Sequence, residues 1–424
     1  MDLHLRDVRC FRGPHTIPIR PFTILVGENS SGKSTVLAML AAISDYDAPF
    51  AIDFNREPYE LGGFDNIASR DGATDIRPPE FVVGYDIPQR AGSATKASVR
   101  ASFSSNNGVP ALRYLEGTSD AGTLVLTLQG GRIRGSMTLP DDGDGHEFDQ
   151  PLPAPFPDSA NWLLVSLVER SVASAERLSK VFALNETLFR SLPRTRSLAP
   201  IRSKPQRTHD RLRNDFQPEG SHVPYLLKAK LAERTTRDRT ALIQSVAHYG
   251  RESGLFESIK IRQLGDSSGD PFQLHVETGG LQSNLADVGY GVSQVLPVVV
   301  ESLITDIWRR IIIQQPEVHL HPKAQAALGS FFARIVAKER KSFVVETHSD
   351  YFLDRVRKEV ANRTLKPSDV QILYFERTAG STRLYPLSLD AMGNVQQAPA
   401  SYRQFFIDEE LGLLMRGGGS VLDR

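Results

Sequence analysis

The run Gly27-Glu28-Asn29-Ser30-Ser31-Gly32-Lys33-Ser34-Thr35 limits what this chain can fold into more than any other feature. It has a glycine, four free positions, a second glycine, then lysine and serine, the spacing of a phosphate-binding loop. Its surroundings agree. The preceding Phe22-Thr23-Ile24-Leu25-Val26 is continuously apolar, as a strand buried on both faces must be, and Val36, Leu37, Leu40 and Ile43 recur afterwards at helical spacing. Gly27 and Gly32 permit the backbone angles that curl N–H groups around a phosphate, and the helix N-terminus adds positive potential. Lys33 would then reach the β- and γ-phosphates and the Ser34 hydroxyl would ligate Mg²⁺. An ordinary glycine turn before a helix needs neither the lysine nor the hydroxyl, so the sequence predicts a nucleotide site over Gly27–Thr35.

Other segments complete an α/β layout. Residues 1–26 read as two short strands, and residues 81–140 as an antiparallel meander of apolar-alternating runs with a Gln129-Gly130-Gly131 turn. The Asp- and Gly-rich stretch at 140–145 and Pro151, Pro153, Pro155 and Pro157 mark a boundary. Helical patterns follow from Trp162 to Phe189, with Leu178 and Phe182 on the apolar side, and from Tyr225 to Tyr249. Strands return near Ile259, and residues 291–380 alternate helix and strand. The expected division is an N-terminal lobe over 1–150, a helical insertion over 151–255 and a C-terminal lobe over 256–424.

A nucleotide-hydrolysing site needs a second apolar strand ending in carboxylates. Ile311-Ile312-Ile313 is such a strand, but it ends in Gln314-Gln315, followed by Pro316-Glu317-Val318-His319-Leu320-His321-Pro322. An amide offers an acceptor oxygen without charge, so it neither balances Mg²⁺ well nor takes a proton at neutral pH. Three explanations are open: an acid replaced to trap nucleotide, a natural protein with slow hydrolysis, and a sensor that does not hydrolyse. Glu317 and Glu346 are the nearby acids that could serve as base or metal-orienting group, or simply make structural hydrogen bonds. A further strand, Phe343-Val344-Val345, leads into Glu346-Thr347-His348-Ser349-Asp350, and Asp287 to Gln294 opens a helix with Gly289, Gly291 and Ser293, another phosphate-compatible N-terminus.

These elements in this order resemble ABC-type ATPases, and more narrowly the OLD-like AAA group, which is similar to SMC and RecF heads. The Pro-Glu-x-His-Leu-His-Pro and Glu-Thr-His-Ser-Asp stretches carry the likeness, which covers residues 1–45 and about 285–390 strongly and 55–140 by layout only. It implies an ABC-type head with an antiparallel β subdomain, binding ATP and Mg²⁺ between two subunits packed head to tail as a homodimer or higher oligomer. On that resemblance Gly289, Gly291 and Ser293 touch the γ-phosphate held by the partner subunit's Lys33, His348 senses it, Gln314 stands with Ser34 at the metal, and Gln315 and Glu317 stand where water is activated. Gly62 to Ile67 falls where a Q-loop belongs but contains no glutamine. OLD-like relatives often carry a Toprim nuclease, for which too few residues follow His348, so the expected effector, a nuclease or toxin, is a separate chain, as in bacterial anti-phage defence. The alternative is a RecF- or SMC-like ATPase that holds DNA.

Charge bears on that alternative. The 50 basic and 50 acidic residues cancel, which excludes a uniformly basic nucleic-acid coat, yet Arg190, Arg194, Arg196, Arg202, Lys204, Arg207, Arg211 and Arg213 face only Asp210 within their segment. This is either a solvated face or a contact for a nucleic acid or acidic partner. His319, His321 and His348 fit loop packing better than a zinc site. The single cysteine, Cys10, the lack of an apolar run of the ~18–20 residues that span a membrane, and a start without signal-peptide features give the expectation of a cytoplasmic protein with no membrane partner.

Overall fold

The computed structural model describes residues 1–45, 48–50, 52–70, 77–88, 96–140, 145–152, 175–210, 215–232, 236–267, 269–402 and 404. The first 27 residues form three strands rather than two: β1 (Asp2–Val8), β2 (Phe11–Pro18) and β3 (Phe22–Gly27). The additional strand, β2, contains Gly13, Pro14 and Pro18, and it lies at the edge of its sheet, where a residue without an N–H is tolerated. β3 runs through the glycine loop into α1 (Lys33–Ile43), and a short helix, α2 (Phe64–Ile67), follows over the expected Q-loop position, burying Phe64 and Ile67.

The expected meander is present and longer than its apolar runs indicate. Strands β4 (Glu80–Pro88), β5 (Lys96–Asn106), β6 (Val109–Ser119), β7 (Gly122–Gln129), β8 (Arg132–Thr138) and β9 (His146–Pro151) join β1 and β2 in an antiparallel eight-stranded sheet ordered β2-β1-β4-β5-β6-β7-β8-β9. Beyond it, α3 (Ala175–Asn185) passes into a π-helical turn at Glu186–Arg190; Phe182, expected on the apolar face, is 45% exposed. The earlier part of the predicted Trp162–Phe189 helix lies outside the described residues.

The predicted insertion is not purely helical. Its basic stretch contains β10 (Arg194–Leu198), an edge strand that pairs in parallel with the strand of the Gln314 segment. Helices α4 (Val223–Ala232) and α5 (Thr236–Ser253) follow, as the periodicity predicts, and then a small sheet of β11 (Ser258–Gln263), β12 (Phe272–Thr278) and β13 (Leu281–Asn284). The remaining elements are α6 (Tyr290–Ile304), β14 (Arg309–Gln314), α7 (Pro322–Glu339), β15 (Ser342–Glu346), α8 (Asp350–Ala361), β16 (Val370–Thr378), β17 (Ser381–Leu389) and β18 (Val395–Gln396).

The central sheet has the order β10-β14-β15-β3-β16-β17-β18, parallel from β10 to β16 and antiparallel beyond. Side chains alternate across a strand, so each apolar run serves two cores. Ile311 and Ile313 of β14, Phe343 and Val345 of β15, and Phe22 and Ile24 of β3 face helices α6, α7 and α8. Ile312, Val344 and Leu25 face the opposite core, which α1 shares with the antiparallel sheet. The chain is thus a mixed α/β protein whose central parallel sheet is covered on both sides, and this explains why its strands read as unbroken apolar runs. No helix among the described residues is long and apolar enough to cross a membrane.

Candidate functional site

The parallel register gathers the sequence motifs at one edge of the central sheet. Gln314 pairs with Glu346, and Glu346 with Leu25, so the last residues of β14 and β15 lie level with the end of β3, where the glycine loop begins. Gly27 has a φ of 137° and a side chain there would overlap the Phe375 carbonyl; Gly32 has a φ of 98° and lies against Cys10 Sγ and the Phe11 ring. Both positions therefore require glycine for angle and for space. The Ser31 hydroxyl donates to the Glu28 carbonyl at 2.7 Å, and Thr382 donates to the Ser31 carbonyl at 2.9 Å, fixing the loop's curl. Glu28, Asn29, Ser30 and Ser34 are exposed, whereas Thr35 is buried in α1. No acidic residue occupies the first turn of α1, so its N-terminal field is not neutralised locally.

Lys33 is 3% exposed, and its ammonium donates to the Gly27 and Glu28 carbonyls at 3.0 and 2.6 Å. Burial lowers its pKa, opposed by the Glu346 and Glu28 carboxylates. Beside it, three side chains converge. Ser34 donates from Oγ to Glu346 Oε2 at 3.2 Å, while Gln314 Nε2 lies 3.2 Å from the same carboxylate oxygen and 3.4 Å from Ser34 Oγ. Gln314 and Glu346 are both buried. The hydroxyl and the carboxylate are hard oxygen donors and fit a magnesium ion that takes its other ligands from phosphate and water, while Gln314 presents its amide nitrogen to them. No group of three or more His, Cys, Asp or Glu side chains suited to a metal occurs among the described residues. His321 instead caps α7 by accepting from the Lys323 N–H at 3.3 Å, and His319, with a φ of 64°, packs edge-on against Tyr290.

After β14 the chain turns at Gln315, whose φ is 44° and whose N–H continues the ladder to the Glu346 carbonyl at 2.8 Å. Glu317 then reaches across to β15, its Oε1 accepting the His348 N–H at 2.7 Å. Burial raises the Glu317 pKa, opposed by that bond and by Arg202. His348 itself is exposed; partial burial and then the Lys33 charge hold its pKa below the ordinary histidine value. A cavity of about 280 Å³ lies alongside, lined by Gly27, Glu28, His348, Tyr374 and Tyr402 among others.

Lys33, Ser34, Gln314 and His348 are therefore neighbours, with Gln315 and Glu317 in the adjoining turn. Gly289, Gly291 and Ser293 are placed differently, at the start of α6 against the His319-Leu320 loop. Gly289 and Tyr290 are exposed there, but Ser293 is buried and its hydroxyl donates to the Tyr290 carbonyl at 2.8 Å. Any ligand meeting this helix would reach Gly289 and Tyr290 before Ser293.

The basic segment is divided between internal and surface positions. Arg202 is 4% exposed and donates to the Gln314 carbonyl at 3.0 Å; burial pushes its pKa down to about 10, opposed by Glu317. Arg196 bonds Glu301 of α6 at 2.8 Å, Arg207 bonds Asp287 at 2.8 Å, and Arg190 lies 3.4 Å from Glu186. Arg196 and Arg202 are thus engaged within the chain, whereas Arg190 and Arg207 are exposed and pair with Glu186 and Asp287 at the surface, and Arg194 and Lys204 are exposed as well; Arg211 and Arg213 lie outside the described residues. Arg202 is the functional-site residue that sequence reasoning placed wrongly, and no local pattern distinguishes it from its exposed neighbours.

Residues 176–353 match the family described as the AAA ATPase domain. Over 388 residues the chain is 22% identical to an OLD nuclease of Thermus scotoductus, covering 88% of this chain and 63% of the relative, so it spans less than two thirds of that curated protein. Among solved structures it is similar to an SMC head domain from Thermotoga maritima, at 10% identity and a TM-score of 0.42, covering 91% of this chain and 97% of that one. It is also similar to an Smc head domain from Pyrococcus furiosus bound to the C-terminal domain of ScpA, at 9% identity and a TM-score of 0.43, covering 97% and 98%.

Proposed function

We propose that this chain is an ATP-binding switch of the OLD-like ATPase type, which pairs with a second copy when ATP is bound and passes that change to a separate effector. The single observation that carries the reading is the convergence of Lys33, Ser34, Gln314, Glu346 and His348 at the ends of three adjacent parallel strands. Each has a task there. Lys33 exchanges its bonds to the Gly27 and Glu28 carbonyls for the β- and γ-phosphates, a charge-assisted replacement at nearly the same place. His348, kept neutral near pH 7 by its lowered pKa, offers a ring N–H to the terminal phosphate. Magnesium, when bound beside Ser34 and Gln314, neutralises charge on the triphosphate.

Hydrolysis is the weaker half of the site. Gln315 cannot accept a proton, and Glu317, whose burial brings its pKa nearer to neutrality, already accepts the His348 N–H with one oxygen. Slow turnover suits a switch, in which lifetime of the bound state sets the signal. The exposed Gly289–Tyr290 end of α6 is the surface a partner subunit's nucleotide would meet, with its helix N-terminus free of acidic residues. The effector, a nuclease or toxin in a bacterial defence setting, follows from the likeness to the OLD group, and the engagement of Arg196 and Arg202 inside the chain takes those two cations out of any DNA-holding surface. Light scattering tests the reading: the molar mass should double when ATP and Mg²⁺ are added, and a mass unchanged at saturating nucleotide would refute it.

A further inference from the structure

We infer that the carboxylate which holds the metal in this site comes from Glu346 of β15, one strand nearer the glycine loop than the strand that ends in Gln314. This deepens the ATP-switch reading and rests on it. The strand order β14-β15-β3 sets the geometry, because Glu346 stands between Gln314 and the loop and is the Cα partner of Gln314 on one side and of Leu25 on the other. Residues paired in register on parallel strands project to the same face, about 4.8 Å apart. Glu346 and Gln314 are accordingly held side by side by the backbone, and both approach Ser34, the carboxylate oxygen at 3.2 Å and the amide nitrogen at 3.4 Å.

Two observations turn this proximity into a role. First, Glu346 is 5% exposed and its side-chain hydrogen bonds run to neutral groups, the Ser34 hydroxyl and the Gln314 amide. A carboxylate taken out of water needs a compensating charge, and the Lys33 ammonium acts on it only through space, its hydrogen bonds going to the Gly27 and Glu28 carbonyls. A divalent cation held by Ser34 and Glu346 would add a directly bonded positive charge. Second, Gln314 donates from Nε2 to the very oxygen that Ser34 contacts, so it orients the carboxylate toward the hydroxyl. An acid at 314 would set two carboxylates in hydrogen-bond range in the nucleotide-free protein, where they repel and one must take up a proton. The amide at 314 is thus the partner that a metal-binding glutamate at 346 requires, and the missing acid at the end of β14 is a transfer of the charge to the next strand.

Manganese, read by electron paramagnetic resonance in the presence of ADP or ATP, replaces magnesium as the probe. Glu346→Gln should weaken Mn²⁺ binding in the nucleotide complex by at least about tenfold, the lower end of what even indirect metal partners contribute. Metal-free nucleotide binding, measured by calorimetry, should be unchanged or tighter, because a negative charge near the phosphates is gone. The exchanged pair Glu346→Gln with Gln314→Glu restores one carboxylate to the site and should recover most of the Mn²⁺ affinity, which a variant that had merely lost its fold would not. Mn²⁺ affinity within about twofold of the parent in Glu346→Gln overturns the inference. If the parent binds no nucleotide at all, the ATP-switch reading fails and the inference with it; if nucleotide binds but Mn²⁺ ignores residue 346, only the inference fails.

Discussion

Glu301 is the residue through which α6 is fastened to the central sheet, and removing it gives a measurable loss. It is fully buried, and its carboxylate accepts from Arg196 of β10 at 2.8 Å, from His222 Nε2 at 2.5 Å and from Thr305 at 3.1 Å. Glu301→Ala leaves His222 Nε2, on a side chain 3% exposed, without its partner, while Nδ1 still accepts the Gln217 N–H. Arg196 has a softer landing, being 22% exposed and seated 4.7 Å over the Phe216 ring. Breaking one side of a buried pair costs roughly 3–5 kcal/mol, and the partial rehydration of Arg196 places this variant near the lower end, at about 3 kcal/mol. Glu301→Gln keeps the shape and one acceptor, so its loss should be about 1 kcal/mol, the difference between a charge-assisted and a neutral hydrogen bond. Urea unfolding followed by circular dichroism reads both values. The pH dependence has a definite sign: burial opposes ionisation of Glu301, His222 and Arg196 outweigh it, and the folded pKa lies below the ordinary 4.5. The carboxylate's contribution is therefore complete above about pH 4.5 and is lost as pH falls through the lower folded value, so Glu301→Gln should show a shallower acid decline than the parent. A loss under about 1 kcal/mol for Glu301→Ala, or an unaltered acid slope for Glu301→Gln, would refute the assignment of this cluster as the anchor of α6.

Two further outcomes follow from the site. A side chain at Gly289 meets nothing within 4 Å and the position has an ordinary φ of −53°, so Gly289→Arg should fold with an unchanged melting temperature yet block the ATP-dependent doubling of mass; a variant that still dimerises would remove the N-terminus of α6 from the interface. The His348 ring should titrate below 6.5 in the nucleotide-free protein, because partial burial and the Lys33 charge disfavour its cation, and ATP should move the midpoint upward by placing an anion beside it; an NMR titration in which nucleotide leaves the midpoint where it was would separate His348 from the phosphates.

Much of this site is legible in the sequence because its parts are local. The glycine loop declares itself through Gly27, Gly32, Lys33 and Ser34 within a few residues, and strands buried on both faces, such as Ile311-Ile312-Ile313, announce themselves as apolar runs. What escapes is what depends on pairing across the chain. β2 and β10 lack apolar runs, the first broken by Pro14 and the second carrying Arg194 and Arg196, and each is a strand only because a sheet edge accepts it. Likewise Ser34 and Glu346 lie far apart in sequence, and although Glu346 is a candidate acid there, only the β14-β15-β3 register shows that it stands on the strand between Gln314 and the glycine loop. Arg202 reads as one cation of a basic segment, and its burial against the Gln314 carbonyl depends on the loop that follows β10 folding back over the end of β14.

The claim that everything else requires is that the glycine loop binds a nucleoside triphosphate through Lys33. Calorimetry of ATP with Mg²⁺ against the parent and Lys33→Ala tests it most directly. The ammonium makes two charge-assisted contacts in the nucleotide-free protein and would exchange them for phosphate oxygens; at ~1.5–3 kcal/mol per such bond its loss should weaken binding by roughly 2–4 kcal/mol, on the order of 30- to 1000-fold. Saturable binding by the parent with a dissociation constant raised by that factor in Lys33→Ala is the predicted result. Equal dissociation constants for the two proteins, or no heat of binding from the parent at millimolar ATP, would contradict it.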